Sequence, residues 1–267
     1  MTLFQSFLLG IIQGLTEFIP ISSTGHLLIA QQLLGIPSSK EVFSFLVIVK
    51  LGTLVSLLAF YWKELLSIAK GVLRFQHPSP ERNLGIYILL ATIPALIAGY
   101  LLNDLVEKFF QRPMLQASIR LFTAAVLMAT AERFTPKNRH LDSMTWYHSL
   151  FIGVMQVFAV FPGASRSGTT ISGGMYMGFD RPSAARFAFL MSVPVMLAAG
   201  GYEMLQVLQL PNTMELFPLF AVGFVTAAVV GWFSIKWLID YLSRRSLYVF
   251  AIYCAVVGTI VFLLQYV

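Results

Sequence analysis

A chain of 267 residues that is 57% hydrophobic and 11% charged, with a mean hydropathy of +0.77, is too apolar for a soluble domain, where roughly 25% of residues carry charge. Its formal net charge of +6 would suit a nucleic-acid partner, but the basic residues fall in short stretches between apolar runs, which is topology signal and not a binding face. The single cysteine, Cys254, excludes a disulfide framework and a cysteine-rich metal site.

The N-terminus lacks the basic region and small-residue cleavage site of a signal peptide and reads as part of the mature chain. Residues 3–35 are apolar but broken by Gln13, Glu17, Pro20, Ser22, Ser23, Thr24 and His26. Neither side of Pro20 offers the roughly 20 apolar residues of a spanning helix. The stretch therefore predicts a helix–loop–helix that enters the membrane and returns, tolerated where the broken backbone is buried or lines a cavity. Spans follow at 42–61, 85–102 and 114–131, separated by a loop at 63–83 that carries Lys63, Lys70, Arg74 and Arg82, and by a short one at 103–113. After a loop at 133–145 with Arg133, Lys137 and Arg139, residues 147–179 repeat the interrupted pattern. Further spans are predicted at 187–204, 216–234 and 247–266. The loop 205–215 has no Lys or Arg, whereas 236–245 carries Lys236, Arg244 and Arg245.

The positive-inside rule then makes 63–83, 133–145 and 236–245 cytoplasmic, and 103–113, 205–215 and both termini external. The two halves also match at an offset of 143: Gly10, Gln13, Phe18, Ser22 and Gly25 fall on Gly153, Gln156, Phe161, Ser165 and Gly168. Each half has one hairpin and three spans, an odd number of crossings, so the halves must be inverted. The expected fold is an all-α polytopic membrane protein with six transmembrane helices plus two re-entrant helix–loop–helix hairpins. It forms one domain, its inverted-repeat halves running over about 1–132 and 145–267. Inverted repeats place a site near the midplane, where broken helices meet and helix N-termini face anions.

Chemistry concentrates at the two hairpins. The second reads Pro162-Gly163-Ala164-Ser165-Arg166-Ser167-Gly168-Thr169-Thr170, one guanidinium and four hydroxyls in an apolar setting. Arg offers a planar fork matched to phosphate oxygens, so the group reads as a phosphate cradle. The plainer alternative is a Pro/Gly kink with Arg166 paired to a buried carboxylate. In the first hairpin, Gln13 and Glu17 are four apart and share a helical face that Pro20 ends. A carboxylate there can transfer a proton, hold a divalent ion on a phosphate, or serve a structural ion pair. Ser22, Ser23 and His26 supply hydroxyl nucleophiles and a base, although a lone histidine is more often satisfied by its surroundings than catalytic. Of the other charges in apolar runs, Arg120 is read as snorkelling to the interface, while Lys50 lies deeper in its span and could help to bind an anion.

These residues resemble the bacterial undecaprenyl-diphosphate phosphatase family of the bacitracin-resistance type. That family is marked by (Glu/Gln)-x-x-x-Glu, here Gln13 to Glu17, and by Pro-x-Ser-Ser-Thr-Gly-His, here Pro20 to His26. Its second motif, Pro-Gly-x-Ser-Arg-Ser-x-x-Thr, matches Pro162, Gly163, Ser165, Arg166, Ser167 and Thr170. The resemblance covers the whole chain. It implies removal of the terminal phosphate from undecaprenyl diphosphate, a polyprenyl lipid, recycling the carrier of cell-wall synthesis and conferring bacitracin resistance. It further implies an interlocked inverted-repeat fold in the bacterial inner membrane, surrounded by lipid, with a site open to the outer face. A homodimer is carried as a partner expectation.

Some members carry Glu where this chain has Gln13, so Glu17 is left as the acid–base group or as the ligand of a divalent cation, Mg2+ or Ca2+. By the same resemblance Ser165, Arg166, Ser167 and Thr170 bind phosphate, with Gln13, Ser22 and Thr24 also placed at the substrate. Ser23 is nucleophile or substrate ligand with His26 assisting; attack by a serine, by His26 or by an activated water all remain open. The phosphatidate-phosphatase type of membrane enzyme needs a nucleophilic histidine after its Ser-Arg pair, and no His follows Arg166. A lipid-phosphate flippase with a midplane anion site is the competing class, since inverted repeats with broken polar helices are common in carriers.

Overall fold

The computed structural model describes residues 1–74, 77–101, 112–160, 164–209 and 213–264. In chain order the α-helices are α1 (Leu3–Thr16), α2 (Ser23–Leu33), α3 (Lys40–Phe60), α4 (Trp62–Leu73), α5 (Pro80–Leu101), α6 (Pro113–Phe134), α7 (Trp146–Val160), α8 (Arg166–Tyr176), α9 (Arg181–Val207), α10 (Thr213–Arg244) and α11 (Tyr248–Leu263). Of these, α3, α5, α6, α9 and α10 are long and apolar enough to cross a bilayer, and α1 and α11 are shorter apolar helices. The chain is a multi-pass membrane protein.

Both interrupted segments fold as broken helix pairs. Thr2 and Gln5 form a capping box that starts α1, and the chain leaves the helix before Pro20. The first helix of each pair lies along a helix from the other half of the chain: α1 along α10, and α7 along α5. Small residues permit this closeness, as they do between membrane helices generally. A Cβ added at Gly10 would sit 2.8 Å from the Gly223 carbonyl oxygen on α10, and one at Gly153 would sit 2.5 Å from that of Ala91 on α5. Around these contacts Phe18, Leu57, Leu121, Met128, Met175 and Phe187 close the larger apolar core. At one end of the bundle Glu132 accepts from two nitrogens of Arg181 (2.6 and 2.8 Å) and from the Leu247 N–H (2.8 Å), tying α6, α9 and α11 together.

Three expectations change. The predicted loop 63–83 is mostly helix: Leu65, Ile68 and Val72 recur at helical spacing under the charges, and α4 packs on α5. The predicted loop 236–245 continues α10 to Arg244, because buried Ile235, Leu238 and Leu242 keep the same periodicity through the basic residues. Arg120 does not snorkel; it is buried at 7% exposure in the wall of a cavity. The predicted loop 103–113 (but for Arg112 and Pro113), the middle of 205–215, and Pro162 and Gly163 of the second motif lie outside the described residues.

Candidate active site

The loop between α1 and α2 meets the first turn of α8. α1 ends at Thr16 with Glu17 as its C-cap, so the carboxylate leaves the helix where the backbone breaks. Glu17 Oε2 accepts from Gln13 Nε2 at 2.8 Å and from Ser23 Oγ at 2.7 Å, while Oε1 accepts from Arg166 Nη2 at 2.6 Å. An amide, a hydroxyl and a guanidinium therefore converge on one carboxylate, the guanidinium from a segment 149 positions away. Arg166 and Glu17 keep 22% and 9% of their side-chain surfaces accessible, so the pair is screened from bulk solvent without being sealed.

The backbone on either side is held by matching devices. Ser22 caps α2 by accepting from Gly25 N at 3.3 Å, and Ser165 caps α8 by accepting from Gly168 N at 3.3 Å. Ser22 does so at φ 71°, a strained region for a residue with a side chain. Ser167 Oγ donates to Ile19 O at 3.3 Å and stitches α8 to the first loop. Arg166 opens α8, where the helix dipole and the first-turn N–H groups favour an anion.

These groups line a cavity of about 380 Å³, into which Glu17, Ser22, Ser23, Thr24, Ser165, Arg166 and Ser167 all face. Lys50 of α3 and Arg120 of α6 also line it, as does Glu203 of α9. A more apolar groove of about 650 Å³ between α5 and α9 adjoins it and shares Arg166, Ala159, Val195 and Ala199. A polar pocket opening into an apolar groove suits an amphiphile with a charged head.

Not every sequence-predicted residue faces the cavity. Gln13 is fully buried behind Glu17, where it also donates to Thr53 Oγ1 at 3.3 Å. Thr170 donates to the Arg166 carbonyl at 2.9 Å within its own helix. The His26 ring is held by the Ser22 carbonyl at 2.9 Å and the Tyr253 hydroxyl at 2.8 Å, and it does not line the cavity. Sequence reasoning missed Glu203 and Tyr253. Glu203 carried a readable signal, an ionisable residue at the end of a predicted span. Tyr253 carried none, since nothing local links it to a histidine 227 positions away.

Residues 6–260 match the family model described as bacitracin resistance protein BacA. A Rubrobacter xylanophilus protein named undecaprenyl-diphosphatase is 39% identical over 256 residues, covering 94% of each chain. One of Methanobrevibacter smithii with the same name is 34% identical over 98% of each chain.

Proposed function

This chain belongs to the family of the bacitracin resistance protein BacA, and on that premise we propose that it hydrolyses undecaprenyl diphosphate to undecaprenyl phosphate and inorganic phosphate. The observation that carries the reading is the Arg166–Glu17–Ser23 cluster at the junction of a polar cavity and an apolar groove. The diphosphate head enters the cavity and the polyprenyl tail follows the groove. Arg166 and the first turn of α8 bind the diphosphate, with Ser165 and Ser167 completing the turn. As substrate oxygens compete for Arg166, Glu17 is released to act on Ser23, already within hydrogen-bond reach.

Ser23 Oγ attacks the terminal phosphorus and gives its proton to Glu17. The bond from that phosphorus to the bridging oxygen breaks, and undecaprenyl phosphate leaves with the proton returned from Glu17. Water then attacks the phosphoserine, losing its proton to Glu17, and inorganic phosphate departs as Ser23 regains a proton. Arg166 stabilises the charge that builds on the leaving phosphate, and phosphoryl transfer is accelerated mainly by such stabilisation together with positioning. Gln13 orients Glu17, and His26 positions the Ser22 turn. Thr170 supports Arg166 through the helix, and Ser22 and Thr24 shape the floor of the cavity.

Among the described residues no three His, Cys, Asp or Glu side chains cluster, so the donor set does not make an all-protein metal cage. One carboxylate beside serine hydroxyls suits a Mg2+ or Ca2+ ion carried by the diphosphate, with Glu17 as its protein ligand. Such an ion would offset phosphate charge.

The reading includes an inverted arrangement in the bacterial inner membrane as a single domain, halves about 1–132 and 145–267. Six spans are joined by two re-entrant pairs, and the site is open to the outer face. Support comes from α1/α2 and α7/α8 breaking at equivalent positions and from the charges of the loops. In a Cys254→Ser background, a cysteine at Gln209 should react with an impermeant thiol reagent in intact cells and one at Asn138 should not; labelling at Asn138 would overturn the orientation. The activity itself is tested by phosphate release from undecaprenyl diphosphate by the purified protein, with and without chelator. Transfer of intact lipid across a bilayer without phosphate release would favour a carrier.

A further inference from the structure

Arg120 is a second guanidinium in the cavity, brought from α6 and 7% exposed. Its Nη1 donates to the Ala164 carbonyl at 3.1 Å, and its Nε has no hydrogen-bond partner. Among the described residues no carboxylate lies within ion-pair distance of it, and Glu17 is already taken by Arg166. α2 packs on α6, and Arg120 lines the same cavity as Ser23 and Thr24. Lys50 lines the same cavity from α3. A buried cation with spare donors and no carboxylate in direct contact is costly to keep, and an anion entering the cavity removes that cost.

We propose that Arg120, assisted by Lys50, forms a second anion subsite that takes the terminal phosphate, while Arg166 faces the lipid-linked phosphate; this rests on the hydrolase reading above. The order follows from the cavities. Arg166 lies on the boundary shared by the apolar groove and the polar cavity, whereas Arg120 lines the polar cavity alone. A tail in the groove brings its own phosphate to Arg166 first and leaves the terminal phosphate further in, between Ser23 and Arg120. The two guanidiniums then divide the diphosphate between leaving group and transferred group.

The test compares wild type with Arg120→Met and Arg120→Lys, using inorganic phosphate and a polyprenyl monophosphate as separate inhibitors of phosphate release. A hydrogen-bonded charge is worth about tenfold to a hundredfold in binding, so Arg120→Met should weaken inhibition by inorganic phosphate, and raise KM, by at least about tenfold. Inhibition by the polyprenyl monophosphate should stay within about twofold, and Arg120→Lys should recover part of the loss. The melting temperature without ligand should hold or rise in Arg120→Met, because an uncompensated buried charge has gone. Inorganic phosphate should raise the melting temperature of the wild type and not of Arg120→Met, a readout that needs no turnover. An inactive wild type would therefore defeat the hydrolase reading while the subsite is still decided by this shift. Equal phosphate sensitivity in wild type and Arg120→Met would overturn the subsite, as would equal loss of both inhibitors together with a lower melting temperature.

Discussion

The two broken helix pairs use one capping hydrogen bond for two kinds of chemistry. At an offset of 143, α2 (Ser23–Leu33) falls on α8 (Arg166–Tyr176) residue for residue. The capping serines Ser22 and Ser165 are equivalent, and each accepts from an equivalent glycine N–H at the same 3.3 Å. The reactive groups are not equivalent. Glu17 falls on Val160, and Ser23 falls on Arg166. Buried glutamines remain on both sides, but Gln13 holds Glu17 whereas Gln156, with valine at the matching place, finds no hydrogen-bond partner among the described residues. The shared parts are those that make and stop a helix inside an apolar bundle. The divergent parts are the side chains that meet in the cavity, Glu17 and Ser23 from the first pair and Arg166 from the second.

If that division is right, the largest effect comes from removing the divergent groups. Arg166→Ala should lower phosphate release by about a thousandfold or more, as loss of a phosphate-clamping arginine does. Arg166→Lys keeps the charge without the fork and should remain severely impaired. Glu17→Gln should lose about a hundredfold or more of the rate if Glu17 is the proton acceptor. Stability separates this from a purely structural pair. Breaking one partner of a buried ion pair costs about 3 kcal/mol, so a structural pair would make Arg166→Ala/Glu17→Gln more stable than either single variant. Near-wild-type turnover in Arg166→Ala would end the catalytic assignment.

The shared packing should fail symmetrically. Gly10→Ala and Gly153→Ala each drive a methyl group against a backbone carbonyl of α10 or α5. Each should lower stability by about 1–3 kcal/mol, read as melting temperature in detergent. A loss confined to one of the two would show that the halves are not held alike.

The glutamines sharpen the comparison in activity. Gln13→Leu removes a donor from the Glu17 carboxylate and should cost about tenfold in rate, near the worth of one hydrogen bond to a charge. Gln156→Leu removes an unpartnered buried amide and should leave turnover near wild type with equal or higher melting temperature. A rate loss in Gln156→Leu matching that in Gln13→Leu would place both glutamines at the substrate.

Much of this site is legible in the sequence alone. Pro20, the serines and the glycines interrupt apolar runs too short to span, and a lone arginine among hydroxyls has few structural reasons to exist. Sequence cannot say which way a charge on a long helix points. Arg120 turns inward because α6 packs on both α2 and α8, and that rotation is fixed by contacts between distant segments. His26 finds its partner on α11, so its role depends on a neighbour that no local pattern announces. The helix over Trp62–Leu73 is hidden for the opposite reason. Its charges suggest a loop, while its apolar stripe is only three residues long and acquires meaning when α5 lies beneath it.

The smallest expected effect concerns the caps themselves. Ser22 and Ser165 make the same hydrogen bond, but Ser22 does so at φ 71° and Ser165 at an ordinary φ of −78°. Glycine at an N-cap loses only a few tenths of a kcal/mol relative to serine, because its backbone can still adopt the capping geometry. At Ser165 that small loss should stand alone. At Ser22 it is offset by relief of backbone strain, worth about 1 kcal/mol for a residue with a side chain at positive φ. Ser22→Gly should therefore be neutral or slightly stabilising, and Ser165→Gly slightly destabilising, a difference of opposite sign between equivalent positions. Melting curves of the two variants in the same detergent measure it. If Ser22→Gly proved the less stable of the two, the first loop would owe its unusual turn to interactions of the Ser22 side chain beyond the cap, and relief of strain would not account for the contrast between the two serines.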